Sequence, residues 1–161
     1  MTVRLAQVGC GYWGKNLARN FAQLGALHAV VDDNPATAAA MATEHGALAM
    51  TFASVLDDPN IEAVSLATPA PQHARMALAA LNAGKHVFVE KPLALEVEEA
   101  RQLVEAAKRS GQILMVGHLL QYHPIFNALL EIVKKGELGN IKYIYSNRLS
   151  FGKIRVEENV L

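Results

Sequence analysis

The sequence predicts an α/β protein built on a doubly wound, mostly parallel six-stranded sheet. Short Val/Ile/Leu-rich runs alternate with Ala-rich segments of helical length, the sequence form of repeated strand-helix-strand units. Runs such as Ile61 to Ala67 are apolar almost throughout, as strands covered by helices on both faces are. The runs also fall into two groups of three, for which the expected strand order is 3-2-1-4-5-6.

The first strand is read at Arg4 to Val8, followed by a helix near Tyr12 to Leu24 with Leu17, Phe21 and Leu24 on one face. Leu27 to Val31 is the second strand, and Pro35 to His45 is a helix that Gly46 can close in a left-handed conformation. Ala47 to Thr51 then reads as a short strand and Phe52 to Leu56 as a short helix. The second half begins with strand Ile61 to Ala67 and a helix from Pro71 to Ala83, whose Pro and following Gly84 suit its two ends. Strand His86 to Glu90 leads to a helix over Glu96 to Arg109, with acids in its first turn and Lys108 and Arg109 in its last, matching the macrodipole. Gln112 to Gly117 is the sixth strand and Pro124 to Lys135 a further helix. Ile141 to Ser146 reads as the opening strand of an α+β second domain. The expected division is therefore residues 1–123 and 124–161, the second domain being only begun.

The 161 residues are 52% hydrophobic with a formal net charge of zero, enough apolar content for a core and no basic run to bind a polynucleotide. No apolar stretch reaches the about 20 residues that cross a bilayer, and Met1 to Val8 has no signal-peptide pattern. A single cysteine, Cys10, excludes an intramolecular disulfide framework. Neither nucleic acid nor membrane is an expected partner, and a reducing cytoplasm is the expected location.

Gly9-Cys10-Gly11-Tyr12-Trp13-Gly14 lies between the first strand and the first helix, where a dinucleotide fingerprint belongs. Gly9 permits the tight turn, Gly11 lets backbone approach a pyrophosphate, and Gly14 lets the helix pack on the sheet, while the helix N-terminus offers amide donors to an anion. With Tyr12 and Trp13 between them, these glycines are the expected cofactor-binding turn of a Rossmann-type fold. Strand two ends at Asp32, about 20 residues on, where an acid accepts from ribose hydroxyls, with Asp33 as the second choice for that role. No Lys or Arg lies between Arg19 and Arg75 to neutralise a 2′-phosphate, so NAD is expected over NADP. Glycines and acid alone leave an S-adenosylmethionine-dependent methyltransferase open. Cys10, inside the turn, reads as a packing residue.

Ala67-Thr68-Pro69-Ala70-Pro71-Gln72-His73, followed by Gly84-Lys85-His86-Val87-Phe88-Val89-Glu90-Lys91-Pro92-Leu93, resembles the Gfo/Idh/MocA oxidoreductase family. The resemblance implies that Lys91 lies beside nicotinamide and substrate as the catalytic residue. Independently, the carboxyl end of a strand faces the ligand crevice of an open α/β sheet. Glu90 is expected to orient Lys91 or to contact cofactor ribose, and Thr68 to line the crevice. His73 reads as a residue capping local structure. His118 and His123 have no acidic or sulfur partner that would complete a metal site, so no metal is expected.

Gly117 to Pro124 and the segment from Asn147 to Asn159 are similar to a narrower branch of that family, the UDP-N-acetylglucosaminuronate 3-dehydrogenases of surface-polysaccharide synthesis. That similarity implies a nucleotide-sugar substrate oxidised at its 3-hydroxyl, with Arg148, Lys153 and Arg155 suited to its anionic part. A cyclitol or simple-sugar dehydrogenase and a non-catalytic NAD-binding sensor are the other readings. The resemblance also implies further catalytic residues, notably a histidine, on a second domain, so this chain alone is expected to be catalytically incomplete and the full-length protein a homo-oligomer.

Overall fold

Four buried residues make Leu5–Val8 (β1) a strand that must be covered on both sides, and it lies at the centre of a parallel sheet ordered β3-β2-β1-β4-β5-β6. The computed structural model describes residues 2–147 and 149. The remaining strands are Leu27–Val31 (β2), Leu48–Ala49 (β3), Ala63–Leu66 (β4), His86–Val89 (β5) and Leu114–Val116 (β6). Helices Gly14–Gln23 (α1), Pro35–His45 (α2), Phe52–Asp57 (α3), Ala70–Asn82 (α4) and Val97–Ser110 (α5) connect them. The chain divides into two compact units, Met1–Gly117 and His118–Leu161. The second carries a 3-10 turn at Leu119–Tyr122 and helix Pro124–Lys134 (α6), whose first turn is capped by His123 Nδ1 accepting from the Ile125 amide at 3.3 Å.

Local chemistry explains most boundaries. Asn34 caps α2 by accepting from the amides of Ala36 and Thr37, and Gly46 ends it at φ 65°. Thr51 caps α3 through the Ser54 amide at 3.1 Å. Several expectations differ from the structure. The third strand is two residues long instead of five, because as an edge it has only β2 to pair with, opposite Ala29 and Val30. Leu24 is 70% exposed: α1 packs through buried Gly14 and Ala18 and half-buried Leu17 and Phe21, and Leu24 lies beyond that stripe. Residues 141–147 form no strand, since among the described residues no neighbouring strand offers them a ladder of hydrogen bonds.

Alternation along the strands separates two cores. Ala6, Val8, Val64, Leu66, Val87 and Val89 pack with Met76, Ala80, Leu81 and Leu103 of α4 and α5. The opposite face carries Gln7, Val30, Ser65 and Phe88 in register, and there Phe21 of α1 meets Phe88 edge-on, centroids 6.4 Å apart. Cys10, Ala18, Val30, Met41 and Ala42 form the second cluster. Burial, aided by the charge of Asp32, pushes the Cys10 thiol from its ordinary 9.0 up to about 11. Lys85 is buried as well, its ammonium donating to the carbonyls of Asp58 (2.6 Å) and Ile61 (2.8 Å) and tying the loop before β4 to the start of β5.

Two outcomes follow from these buried groups. Lys85→Met should cost about 2–4 kcal/mol in urea unfolding, the size expected when hydrogen bonds to a charged donor are lost and carbonyls are left unpaired; an unchanged midpoint would contradict the staple. A thiol pKa higher in the folded than in the unfolded chain contributes stability that is fully present below pH 9 and is lost as pH rises toward 11. Wild type should therefore lose more stability than Cys10→Ala between pH 8 and 10.5, which paired urea titrations would measure. Parallel losses in the two proteins would exclude the effect.

Candidate functional site

A parallel sheet sends every strand's carboxyl end to one edge, and the order of this sheet reverses direction between β1 and β4. A crevice opens at such a switch point. The exits of β1, β2, β4 and β5 bring the glycine turn, Asp32, Thr68 and the Glu90-Lys91 pair to that edge.

The glycine turn is shaped by the absence of side chains. Gly9 sits at φ 83°, and a Cβ there would fall 2.7 Å from the Ala67 carbonyl oxygen, so both conformation and close approach require glycine. A Cβ on Gly14 would collide with the Gly9 carbonyl oxygen, so α1 can start this close to the turn only from glycine. At Gly11 a Cβ would meet nothing within 4 Å, which marks the open side of the turn. Among the described residues, no acceptor takes the backbone amides of Gly11, Tyr12 and Trp13. Unpaired amides beside a helix N-terminus form a ready anion site, so the turn fits the pyrophosphate of a dinucleotide. The expected helix from Tyr12 starts instead at Gly14, because Tyr12 and Trp13 belong to the turn.

Asp32 is half-buried at the exit of β2. Its Oδ2 accepts from the Cys10 amide (2.8 Å) and its Oδ1 from the Asn34 amide (2.9 Å). These bonds hold the acid against the turn. A carboxylate has about four lone-pair directions, so capacity remains for a ribose diol. Asp33 is exposed.

Trp13 reaches across the edge, its indole Nε1 donating to Glu90 Oε1 at 2.6 Å. Glu90 is 7% exposed, and its Oε2 accepts from the Lys91 amide at 3.3 Å. A Cβ on Gly117, at the exit of β6, would lie 2.8 Å from Glu90 Oε1, so that glycine makes room for the carboxylate. Lys91 itself is exposed and, among the described residues, in no ion pair. Tyr12 is 81% exposed, with the Lys15 ammonium 5.7 Å from its ring centroid. Thr68 donates its hydroxyl to Met76 Sδ (3.8 Å), and its carbonyl oxygen faces His73 Nε2 (2.8 Å).

Two polar residues in this region were not expected to support it. Gln7, fully buried inside β1, donates from Nε2 to the Gly9 carbonyl at 3.0 Å and props the turn from beneath. Its signal was a lone amide in an apolar strand. His73 is 2% exposed and bridges two loops, with Nδ1 2.7 Å from the Pro92 carbonyl oxygen and Nε2 2.8 Å from that of Thr68. It does more than cap local structure. Among the described residues no group of three His, Cys, Asp or Glu is placed to hold a metal ion. Arg148, Lys153 and Arg155 lie outside the described residues.

Comparison with known proteins agrees with this geometry. Residues 3–118 match the family model described as an oxidoreductase family with an NAD-binding Rossmann fold. The chain is 30% identical to a UDP-N-acetylglucosamine 3-dehydrogenase of Acidithiobacillus ferrooxidans over 92% of its own length and 46% of that protein's. It is 37% identical to an inositol 2-dehydrogenase of Saccharopolyspora erythraea over 86% of its length and 43% of that protein's. A crystal structure of the Acidithiobacillus enzyme superimposes with a TM-score of 0.76 at 32% identity, covering 81% of this chain and 43% of that one. The chain thus spans less than half the length of these relatives. The methyltransferase reading falls with the family match. The chain belongs to the Gfo/Idh/MocA oxidoreductase family, and its residues 3–118 are that family's NAD-binding Rossmann domain.

Proposed function

We propose that this chain is the cofactor-binding part of an NAD-dependent dehydrogenase that oxidises a secondary hydroxyl of a sugar, with Lys91 as its catalytic residue. The observation that carries the reading is the exposed Lys91 at the exit of β5, on the same sheet edge as the open side of the glycine turn. When bound, NAD supplies the hydride acceptor. The amides of Gly11, Tyr12 and Trp13 bind its pyrophosphate and Asp32 its adenosine ribose. Glu90 holds the turn through Trp13, and Thr68 lines the crevice. Lys91 hydrogen-bonds the reacting oxygen and stabilises its alkoxide character as hydride leaves the carbon. The hydroxyl proton passes to a base on the second domain, the histidine that the family resemblance implies.

For the substrate we favour the 3-hydroxyl of a UDP-N-acetylhexosaminuronate, in polysaccharide synthesis within the cytoplasm by a homo-oligomeric enzyme. Support comes from the sequence similarity around Gly117 to Pro124 and from the relative named a UDP-N-acetylglucosamine 3-dehydrogenase. The higher identity to an inositol 2-dehydrogenase favours a cyclitol as the second reading. NADH formation with UDP-N-acetylglucosaminuronate, UDP-N-acetylglucosamine and myo-inositol in the complete protein separates the two. NAD binding without turnover of any alcohol would indicate a sensor.

Asp32 should also set cofactor choice, since it accepts from a 2′-hydroxyl and repels a 2′-phosphate. Calorimetric titration should give tighter binding of NADH than of NADPH, and Asp32→Ala should weaken NADH by about 1.5–3 kcal/mol. Equal or tighter NADPH binding would overturn the assignment. Lys91→Ala should leave NADH affinity nearly unchanged while turnover falls by on the order of 100-fold or more. Near wild-type turnover in that variant would remove Lys91 from the chemistry.

A further inference from the structure

We infer that His73 is a doubly protonated imidazolium that clamps the Lys91 turn to the Thr68 loop, and so acts as a positioning residue for Lys91. Its consequence for turnover rests on the role proposed for Lys91; the clamp itself does not. Both ring nitrogens face backbone carbonyl oxygens, Nδ1 that of Pro92 at 2.7 Å and Nε2 that of Thr68 at 2.8 Å. A carbonyl oxygen can only accept. A neutral imidazole has one N–H and one lone pair, so it would satisfy one carbonyl and turn a lone pair on the other at contact distance. The imidazolium donates to both. Two forces oppose that state: the ring is 2% exposed, and His73 lies in the first turn of α4, where the helix dipole disfavours a cation. Charge-assisted bonds, about twice as strong as neutral ones, act against both at two oxygens at once.

Lys91 then lies between two anchored neighbours. On one side Glu90 is held by the Trp13 indole, and on the other the Pro92 carbonyl is held by His73. The two anchors come from different elements, the glycine turn and α4, so the backbone carrying the lysine is fixed from both ends of a three-residue segment. The ring also joins this segment to Thr68, at the exit of the adjacent strand β4. Its role is thus to set where the Lys91 ammonium stands relative to the crevice, without touching a reactant.

The clamp can be read without any substrate. In the 15N-labelled protein at neutral pH, a long-range proton–nitrogen correlation spectrum should show protons on both ring nitrogens of His73, identified by the loss of that signal in His73→Gln. A ring with one unprotonated nitrogen would overturn the inference. In the complete protein, His73→Gln should keep NADH affinity within about twofold while kcat falls on the order of 10- to 100-fold, the cost of misplacing a reacting group. Unchanged kcat would overturn the positioning role. If the protein binds NADH yet oxidises no alcohol, the proposed dehydrogenase reading fails, and the ring spectrum still decides the clamp.

Discussion

The close approach of three backbone segments at Gly9 and Gly14 is the constraint on which the site depends. β1 can end in a tight turn, the loop after β4 can press against it, and α1 can start directly above it only because no Cβ stands between them. In the same turn the amides of Gly11, Tyr12 and Trp13 have no acceptor among the described residues. The anion site proposed there would be a by-product of packing, its charge coming from backbone dipoles rather than from a basic side chain.

Hydrogen bonds then link the strand exits into one unit. Gln7 supports the turn from beneath, Asp32 holds it from β2 through the Cys10 amide, and Trp13 joins it to Glu90 at the end of β5. His73 connects the exits of β4 and β5. Gln7, Glu90 and His73 are buried and Asp32 half-buried, where an unmade bond is costly, so the residues at this edge are held in place before any ligand arrives. Preorganisation of this kind keeps a binding edge from spending affinity on its own ordering.

Periodicity and punctuation made the fold legible. Apolar runs of strand length, Gly46 and Gly111 at helix ends and Pro35 at a helix start marked the elements, and the family match and sheet order agree with that reading. Misreadings occurred where tertiary context decides. Ala47 to Thr51 has strand character, yet an edge position limits its pairing to two residues. Leu24 has the periodicity of a buried residue, yet the packed face of the helix ends at Phe21. The glycines and Asp32 could be picked out because their spacing is local. The Trp13 to Glu90 bond spans 77 positions and the His73 to Pro92 bond 19, and no local pattern signals either. Gln7 was visible only as a polar residue in an apolar strand.

A crystal structure of the protein with NAD bound tests the central claim most directly, because the turn, the acid and the lysine are each assigned to a different part of one molecule. The account predicts the pyrophosphate over the amides of Gly11 to Trp13, the adenosine ribose hydroxyls on Asp32, and the nicotinamide ring beside Lys91. A dinucleotide bound away from the glycine turn, or a nicotinamide directed away from Lys91, would contradict it.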